Sequence, residues 1–311
     1  MRIFIIGVSG LFGLNAALVL GDKGHEVWGS YLTHPVELPG GRALRLDVRD
    51  EAEVMWVFRE VEPEVVIHAA AATSVDGCEE NPGMAQAMNV DATRAVMKGA
   101  FHVCARLVHL STDQVFEGKN ALAKESDKPH PINVYGRTKL ESEREATLRS
   151  DFLIIRTNFF GWGPPHKPSL SDWILARLRA GDEVPGFTDV YFTPILVNDL
   201  IGRIEIMLAS NVRGGWFHVA GVDRVSKYEF ARRLAEMFDQ NTEKVRATRV
   251  AEAQLRAPRP LDMSLNGSKV DGLLSFPSAD LQVGLKRLKD LEAQGWPERI
   301  RMLVQPRQVP V

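Results

Sequence analysis

Tyr135 and Lys139 stand four residues apart in a segment of helical pattern, so both side chains leave one face, a turn apart. A phenol there can exchange a proton with a reacting oxygen. A neighbouring ammonium favours phenolate and draws the tyrosine pKa down from about 10 toward the working range of a general acid or base. The same pair also arises by chance on amphipathic helices, with tyrosine in the core and lysine in water. Ser111, Thr112 and Asp113 add weight, because they end an apolar run at 106–110 and so fall at the carboxyl edge of a sheet, where open α/β folds place ligands. The Thr112 hydroxyl can polarise a substrate carbonyl.

Gly7, Gly10 and Gly13 form a GxxGxxG spacing between an apolar run at 3–6 and a helical pattern, the context of a dinucleotide loop. Glycine permits the tight turn, the approach of backbone N–H groups to a pyrophosphate and close helix–strand packing, and the helix start adds partial positive charge. Leu11 and Phe12 lie inside this loop. At the end of the second strand (26–31) a carboxylate would hold both ribose hydroxyls of NAD and repel a 2′-phosphate. The chain there reads Gly29, Ser30, Tyr31, Leu32, Thr33 and His34, with no acid and no arginine. Ser30, Thr33 and His34 can donate to phosphate, so NADP(H) is favoured and NAD(H) stays open. Asp47, followed by Val48, offers a carboxylate for an adenine amino group; a helix N-cap at Asp47 or Asp50 is the alternative reading.

These groups need a scaffold, and the first half of the chain alternates short β-rich runs with helical patterns. Strands are expected at 3–6, 26–31, 43–46, 65–69, 106–110 and 152–156, and helices at 15–20, 51–59, 84–99 and 134–149. Continuous apolar strands indicate a parallel sheet covered on both faces. The expected fold is α/β, a Rossmann-type doubly wound parallel sheet with a smaller C-terminal α/β substrate-binding lobe. Residues 1–160 would form the NADP(H)-binding domain with the catalytic helix. Residues 161–311 would be mainly the lobe, with about 190–225 returning to the main domain and a strand at 216–219 joining its sheet. Helices are expected at 171–180, 198–209 and 226–238.

The 311 residues are 45% hydrophobic, with 38 basic and 40 acidic side chains interleaved. No field of one sign exists to attract nucleic acid or an anionic membrane surface. No apolar stretch approaches the roughly 18 to 20 residues of a membrane span. Cys78 and Cys104 lack metal-ligand spacing and suggest no disulfide framework, and with the short N-terminal apolar run they point to a cytoplasmic protein. The eight histidines are scattered without metal-ligand pairs, so no metal site is expected and His68 reads as structural.

Taken together, the motifs resemble the extended short-chain dehydrogenase/reductases, and within them the dTDP-4-dehydrorhamnose reductase-like branch, over nearly the whole chain. The motifs are the glycine loop, His68 with the alanines to Ala72, Asn89-Val90-Asp91, Ser111 to Phe116, Asn133 to Lys139, Arg156-Thr157 and Arg259-Pro260. The resemblance implies a catalytic triad of Thr112, Tyr135 and Lys139, with Tyr135 protonating a keto oxygen as hydride arrives from the nicotinamide. It implies that Ala69, Ala70 and Ala71 line the cofactor and that Asn89 shapes the active-site helix. On the substrate side it points to Thr73, Asp113, Gln114, Asn158, Trp162 and Arg259. Trp162 reads equally as a packing plug, and Arg259 equally as a salt bridge between lobes. Gln114 stands where rhamnose reductases typically carry tyrosine and where 4,6-dehydratases carry glutamate. Glutamine cannot serve as the eliminating acid, so dehydration is disfavoured. The expected activity is NADPH-dependent reduction of a 4-keto nucleotide-sugar in deoxysugar or polysaccharide biosynthesis, with a homodimer common in the family. Nucleotide-sugar epimerisation, another carbonyl reduction, and a non-catalytic subunit resembling that of methionine adenosyltransferase are the alternatives.

Overall fold

A computed structural model describes residues 1–148, 151–210 and 212–304. Among them a seven-stranded parallel sheet is built from β1 (Arg2–Ile6), β2 (Glu26–Tyr31), β3 (Arg42–Arg45), β4 (Val65–His68), β5 (Arg106–Thr112), β6 (Phe152–Thr157) and the strand Gly215–His218. The spatial order is Gly215–His218, β6, β5, β4, β1, β2, β3. The chain therefore runs outward from β1 to β3, returns to β4, and runs outward in the other direction. That reversal opens a crevice past the carboxyl ends of β1 and β4. The register sets Ile6 level with Ser30 and His68, His68 level with His109, and Ser111 and Thr112 level with Arg156 and Thr157. Segments leaving these positions meet at one edge.

Side chains alternate across a strand, and β1 shows the consequence. Ile3 and Ile5 join one buried cluster while Phe4 and Ile6 join the other, on the opposite face of the sheet. The helix Leu11–Asp22 buries Phe12, Leu14, Ala16, Ala17, Leu18 and Leu20. Its apolar character extends round the circumference, as befits a helix sandwiched between sheet and further helices. The next helix, Glu51–Val61, begins at Asp50, whose carboxylate accepts the Glu53 N–H at 3.0 Å.

The second half adds short strand pairs, Val184–Phe187 with Val245–Thr248 and Tyr191–Phe192 with Val225–Ser226, against the helix Lys227–Met237. The final helix, Trp296–Leu303, packs both on the preceding helix Leu281–Ala293 and back on Leu11–Asp22 at the start of the chain. Its Leu303 carbonyl accepts the Glu37 N–H at 2.8 Å, and Ile300 and Leu303 join the cluster that holds Ile3 and Ile5. A local apolar stripe announces that a helix is covered, but not by which element. The helix expected at 134–149 ends at Ala146, and Arg149 lies outside the described residues. The helix expected at 84–99 is three pieces: Pro82–Gln86, a wide π turn at Ala87–Asp91, and Ala92–His102. No described helix is long and apolar enough to cross a membrane.

Asn15 joins these layers. Its buried carboxamide donates to the carbonyls of Leu11 (2.7 Å) and Trp162 (2.9 Å) and accepts the Trp296 indole N–H (2.8 Å). Asn15→Leu would strand a buried indole N–H and a buried carbonyl, an expected loss of roughly 2–4 kcal/mol. Urea unfolding checks it; a loss under about 0.5 kcal/mol would show that the carboxamide holds nothing together.

Candidate active site

The loop after β1 is shaped by contacts that only glycine permits. Gly7 has a φ of +80°, and a Cβ there would lie 2.9 Å from the Ala70 backbone. A Cβ on Gly13 would lie 2.4 Å from the Gly7 carbonyl oxygen, so this residue lets the helix sit directly on the turn. The Gly7 and Val8 N–H groups donate to the Ser30 carbonyl (3.1 and 2.8 Å), which fixes the loop against the end of β2. Two cavities meet here. One, of about 300 Å³, is lined by Ser30, Tyr31, Leu32, Thr33, His34, Leu46, Val48 and Ala70 among others. The other, of about 280 Å³, is lined by Leu11, Phe12, Gly13, Thr73, Thr112, Asp113, Gln114, Tyr135, Lys139 and Asn158 among others. They share Gly7, Gly10, Ala69, Ala71 and Lys167. A loop with no room for a Cβ at Gly7 or Gly13, at a helix start, between two cavities, fits a dinucleotide with its diphosphate over the loop.

Asp47 does not line this cleft. Arg49 bonds both of its carboxylate oxygens and holds its pKa below the usual range, while the cap role belongs to Asp50. Val48 does reach the cavity. Asn89 lies off the cavity walls and is buried, with its carboxamide engaged by Ala72 N–H (2.8 Å), the Ala72 carbonyl (3.3 Å) and the Thr138 hydroxyl (2.9 Å). It ties the exit of β4 to the helix that carries Tyr135 and Lys139.

That helix, Val134–Ala146, is capped by Asn133, whose Oδ1 accepts the Gly136 N–H at 2.8 Å. Asn133 Nδ2 donates to Gln114 Oε1 (3.1 Å) and to the Pro258 carbonyl (3.0 Å). Gln114 thus lines the cavity and also braces the helix start. One turn in, Lys139 Nζ donates to the Leu110 carbonyl at 2.8 Å and lies 3.3 Å from His109 Nε2. Burial and the ammonium push the His68 pKa down to about 3, and His109 well below its usual value, so both rings are neutral packing partners. Burial also brings Lys139 down to about 8, with Glu143 opposing.

The phenol moves the other way. Burial pushes the Tyr135 pKa above its ordinary value, the Thr112 hydroxyl pulls it back in part, and Asp113 adds to the rise. The expectation that the lysine lowers it is corrected here. Lys139 bonds the end of β5 rather than the phenol, and desolvation outweighs what a cation one turn away can do.

On the substrate side the Thr112 hydroxyl donates to Asp113 Oδ1 (3.0 Å), and Asn158 Nδ2 donates to Asp113 Oδ2 (2.6 Å). Burial raises the Asp113 carboxyl, opposed by Asn158 and by Lys227. Lys227, unmarked in the sequence, brings its ammonium 3.2 Å from the centre of the Phe192 ring on this side. Trp162 is buried in the core with its indole N–H on the Leu288 carbonyl (3.0 Å), so it is the packing plug and not a ligand contact. Arg259 is the salt bridge, 2.9 Å from Asp76, and does not line either cavity.

The family model for the RmlD substrate binding domain matches residues 1–292. The chain belongs to that family. A curated relative within reach is the probable low-salt glycan biosynthesis reductase Agl14 of Haloferax volcanii, 32% identical, with 93% of this chain and 97% of that one covered. The dTDP-4-dehydrorhamnose reductase of Aggregatibacter actinomycetemcomitans is 28% identical over 93% of this chain and 98% of its own. A solved structure, described as a hypothetical dTDP-4-dehydrorhamnose reductase from Sulfolobus tokodaii, superposes with a TM-score of 0.79 at 33% identity, covering 90% of this chain and 98% of that one.

For this member of the RmlD family, sequence reading overlooks Glu143, which lies one further turn along the face of Tyr135 and Lys139. It accepts from Ser111 Oγ (2.5 Å), from Arg156 Nε and Nη2 (2.9 and 2.7 Å) and from the Trp216 indole (3.2 Å). Both partners of the Glu143–Arg156 pair are buried. Arg156→Met would leave a buried carboxylate without its countercharge, an expected loss of about 3–5 kcal/mol. Urea unfolding measures it, and a loss below about 1 kcal/mol would show the pair to be incidental.

Proposed function

We propose that this protein catalyses the NADPH-dependent reduction of a 4-keto nucleotide-sugar. The observation that carries the reading is one cleft with two ends. Tyr135, Lys139 and Thr112 line the cavity on one side of the glycine loop, and the acid-free segment from Ser30 to His34 lines the other. Membership in a family whose curated members include reductases of this name supports it. Residues 1–160 would bind the dinucleotide, and 161–311 would supply most of the substrate side.

The glycine loop, Ala69 to Ala71 and the segment from Ser30 would hold the cofactor, whose dihydronicotinamide supplies hydride. The remaining chemistry belongs to the chain. Tyr135 keeps its proton until a carbonyl oxygen gains negative charge beside it; the phenolic O–H then breaks and the oxygen takes the proton. With substrate bound, the Thr112 hydroxyl turns from Asp113 to donate its one proton to the same oxygen and orient it. Lys139, a turn away, favours the phenolate that remains. Asp113, held by Asn158 and released by Thr112, presents acceptors to sugar hydroxyls. Gln114 is not ionisable, so the position that carries the eliminating acid in a dehydratase has none here, which disfavours elimination of water.

A panel of dTDP-, UDP- and GDP-linked 4-keto sugars with NADPH, followed by ultraviolet absorbance, tests the reading; no NADPH consumption with any of them overturns it. Tyr135→Phe is expected to lose about 10²- to 10⁴-fold in turnover with dinucleotide affinity unchanged. Retained turnover would remove Tyr135 as the proton donor. Because Lys139 is charged below and neutral above its pKa of about 8, turnover is expected to fall as pH rises through that value. Lys139→Arg keeps its charge at all working pH values and should move the falling limb upward in the pH–rate profile. An unmoved limb would assign it to another group.

A further inference from the structure

Residues 164–167 form a turn that sets His166 and Lys167 in the wall of the cleft. The turn is tied down on both sides. The Lys167 N–H donates to the Pro164 carbonyl (3.0 Å), Asp172 Oδ2 accepts the N–H groups of Gly163 and Ser169 (2.8 Å each), and the Ser169 hydroxyl donates to the Gly161 carbonyl (2.6 Å). At its tip, His166 Nε2 lies 3.0 Å from the Ser9 carbonyl inside the glycine loop. That partner can only accept, so Nε2 carries a proton. The His166 ring stacks on His34 with centroids 3.8 Å apart and planes 5° from parallel. His34 in turn holds Nδ1 2.8 Å from the Thr33 hydroxyl.

Position gives these side chains a task. Thr33 and His34 follow β2, where the adenosine ribose of a dinucleotide lies in this fold. Both histidines line the cavity on that side. Lys167 lines both cavities, and among the five residues the cavities share it is the one with a charged side chain. Those five residues surround the glycine loop, the place of the diphosphate. An ammonium is a compact cation for phosphate, and imidazole N–H groups donate to phosphate oxygens.

We propose that the 164–167 turn is the cationic wall of the dinucleotide site. Lys167 faces the diphosphate, and His34 recognises the 2′-phosphate that separates NADPH from NADH, its ring held in place by the stack on His166, whose Nε2 proton is committed to the Ser9 carbonyl. His34 does this work where the segment after β2 carries no arginine. The inference rests on the dinucleotide reading above and adds which residues choose between the two cofactors.

Binding, not turnover, tests it. NADPH and NADH are titrated separately into the full chain by nucleotide fluorescence, for wild type and for His34→Ala, His166→Ala, His166→Gln and Lys167→Ala, each checked for unchanged circular dichroism. Lys167→Ala should weaken both dinucleotides by about tenfold or more. The histidine variants should weaken NADPH by about tenfold while NADH changes by less than about twofold. Equal losses of both dinucleotides in the histidine variants would reduce the stack to packing and overturn its recognition role, as would an unchanged ratio. Lys167→Ala with unaltered affinity for both overturns the diphosphate contact. Wild type that prefers NADH, or binds both alike, overturns the 2′-phosphate contact and leaves the dinucleotide site standing. Wild type that binds neither overturns both.

Discussion

A carboxylate withdrawn from water is tolerable only if donors and a countercharge replace the water, and the geometry of this active site hangs on how Glu143 meets that demand. Its donors come from three neighbouring strands: Ser111 at the end of β5, Arg156 at the end of β6 and Trp216 from Gly215–His218. Tyr135, Lys139 and Glu143 recur at four-residue spacing, so whatever fixes Glu143 fixes the phase of the whole helical face. An apolar contact of similar volume could contribute as much stability, but it would lose little if the helix rotated or slid. Directional bonds to a buried charge are lost together. The pair therefore serves position more than stability, and the position it sets is that of Tyr135, the proposed proton donor.

The same dry environment decides the protonation of the site. Burial disfavours whichever form is charged, so it raises Tyr135 and Asp113 and lowers Lys139, His68 and His109. A ketone reduction needs a phenol that arrives with its proton and surrenders it only when charge develops on the substrate oxygen. A tyrosine whose pKa is raised at rest meets the first condition. The second is met by the nearby ammonium and hydroxyl, which act on charge that forms in a site already emptied of water. Neutral His109 beside Lys139 adds no competing positive charge, and the Leu110 carbonyl holds the ammonium in place.

The sheet was legible because each parallel strand is a short apolar run between turn signals, and the glycine loop because its spacing follows directly from the first of them. Motif order along the chain is enough to put Thr112 and Tyr135 at one edge of the sheet. What stayed hidden depends on contacts between distant residues. Trp162 and Arg259 each admitted a binding role and a packing role, and only the Leu288 carbonyl and the Asp76 carboxylate decide between them. Glu143 looks like any charge on a polar helix until Arg156 and Trp216 are brought to it. Lys227 and Lys167 carry no local signal, since nothing in their neighbourhoods in the chain says that one will sit over Phe192 near Asp113 and the other between the two cavities. The direction of the Tyr135 shift was missed for a related reason: spacing gives the distance to a partner but not the depth of burial.

The interrupted helix at 82–102 shows how a local irregularity can serve the site. A regular α-helix through this segment would satisfy its backbone better, and the apolar pattern alone predicts one. The π turn at Ala87–Asp91 instead inserts a wider loop of helix at Asn89. The extra width lets the Asn89 carboxamide reach out of the helix, bonding both the N–H and the carbonyl of Ala72 and the hydroxyl of Thr138. Ala72 continues the chain that leaves β4 through the cavity wall at Ala69 to Ala71, and Thr138 precedes Lys139. One side chain thus holds the cofactor wall and the catalytic helix at a fixed separation. Alanine at position 89 would suit the helix and abandon that spacing, which is why an asparagine with poor helix propensity occupies a fully buried site.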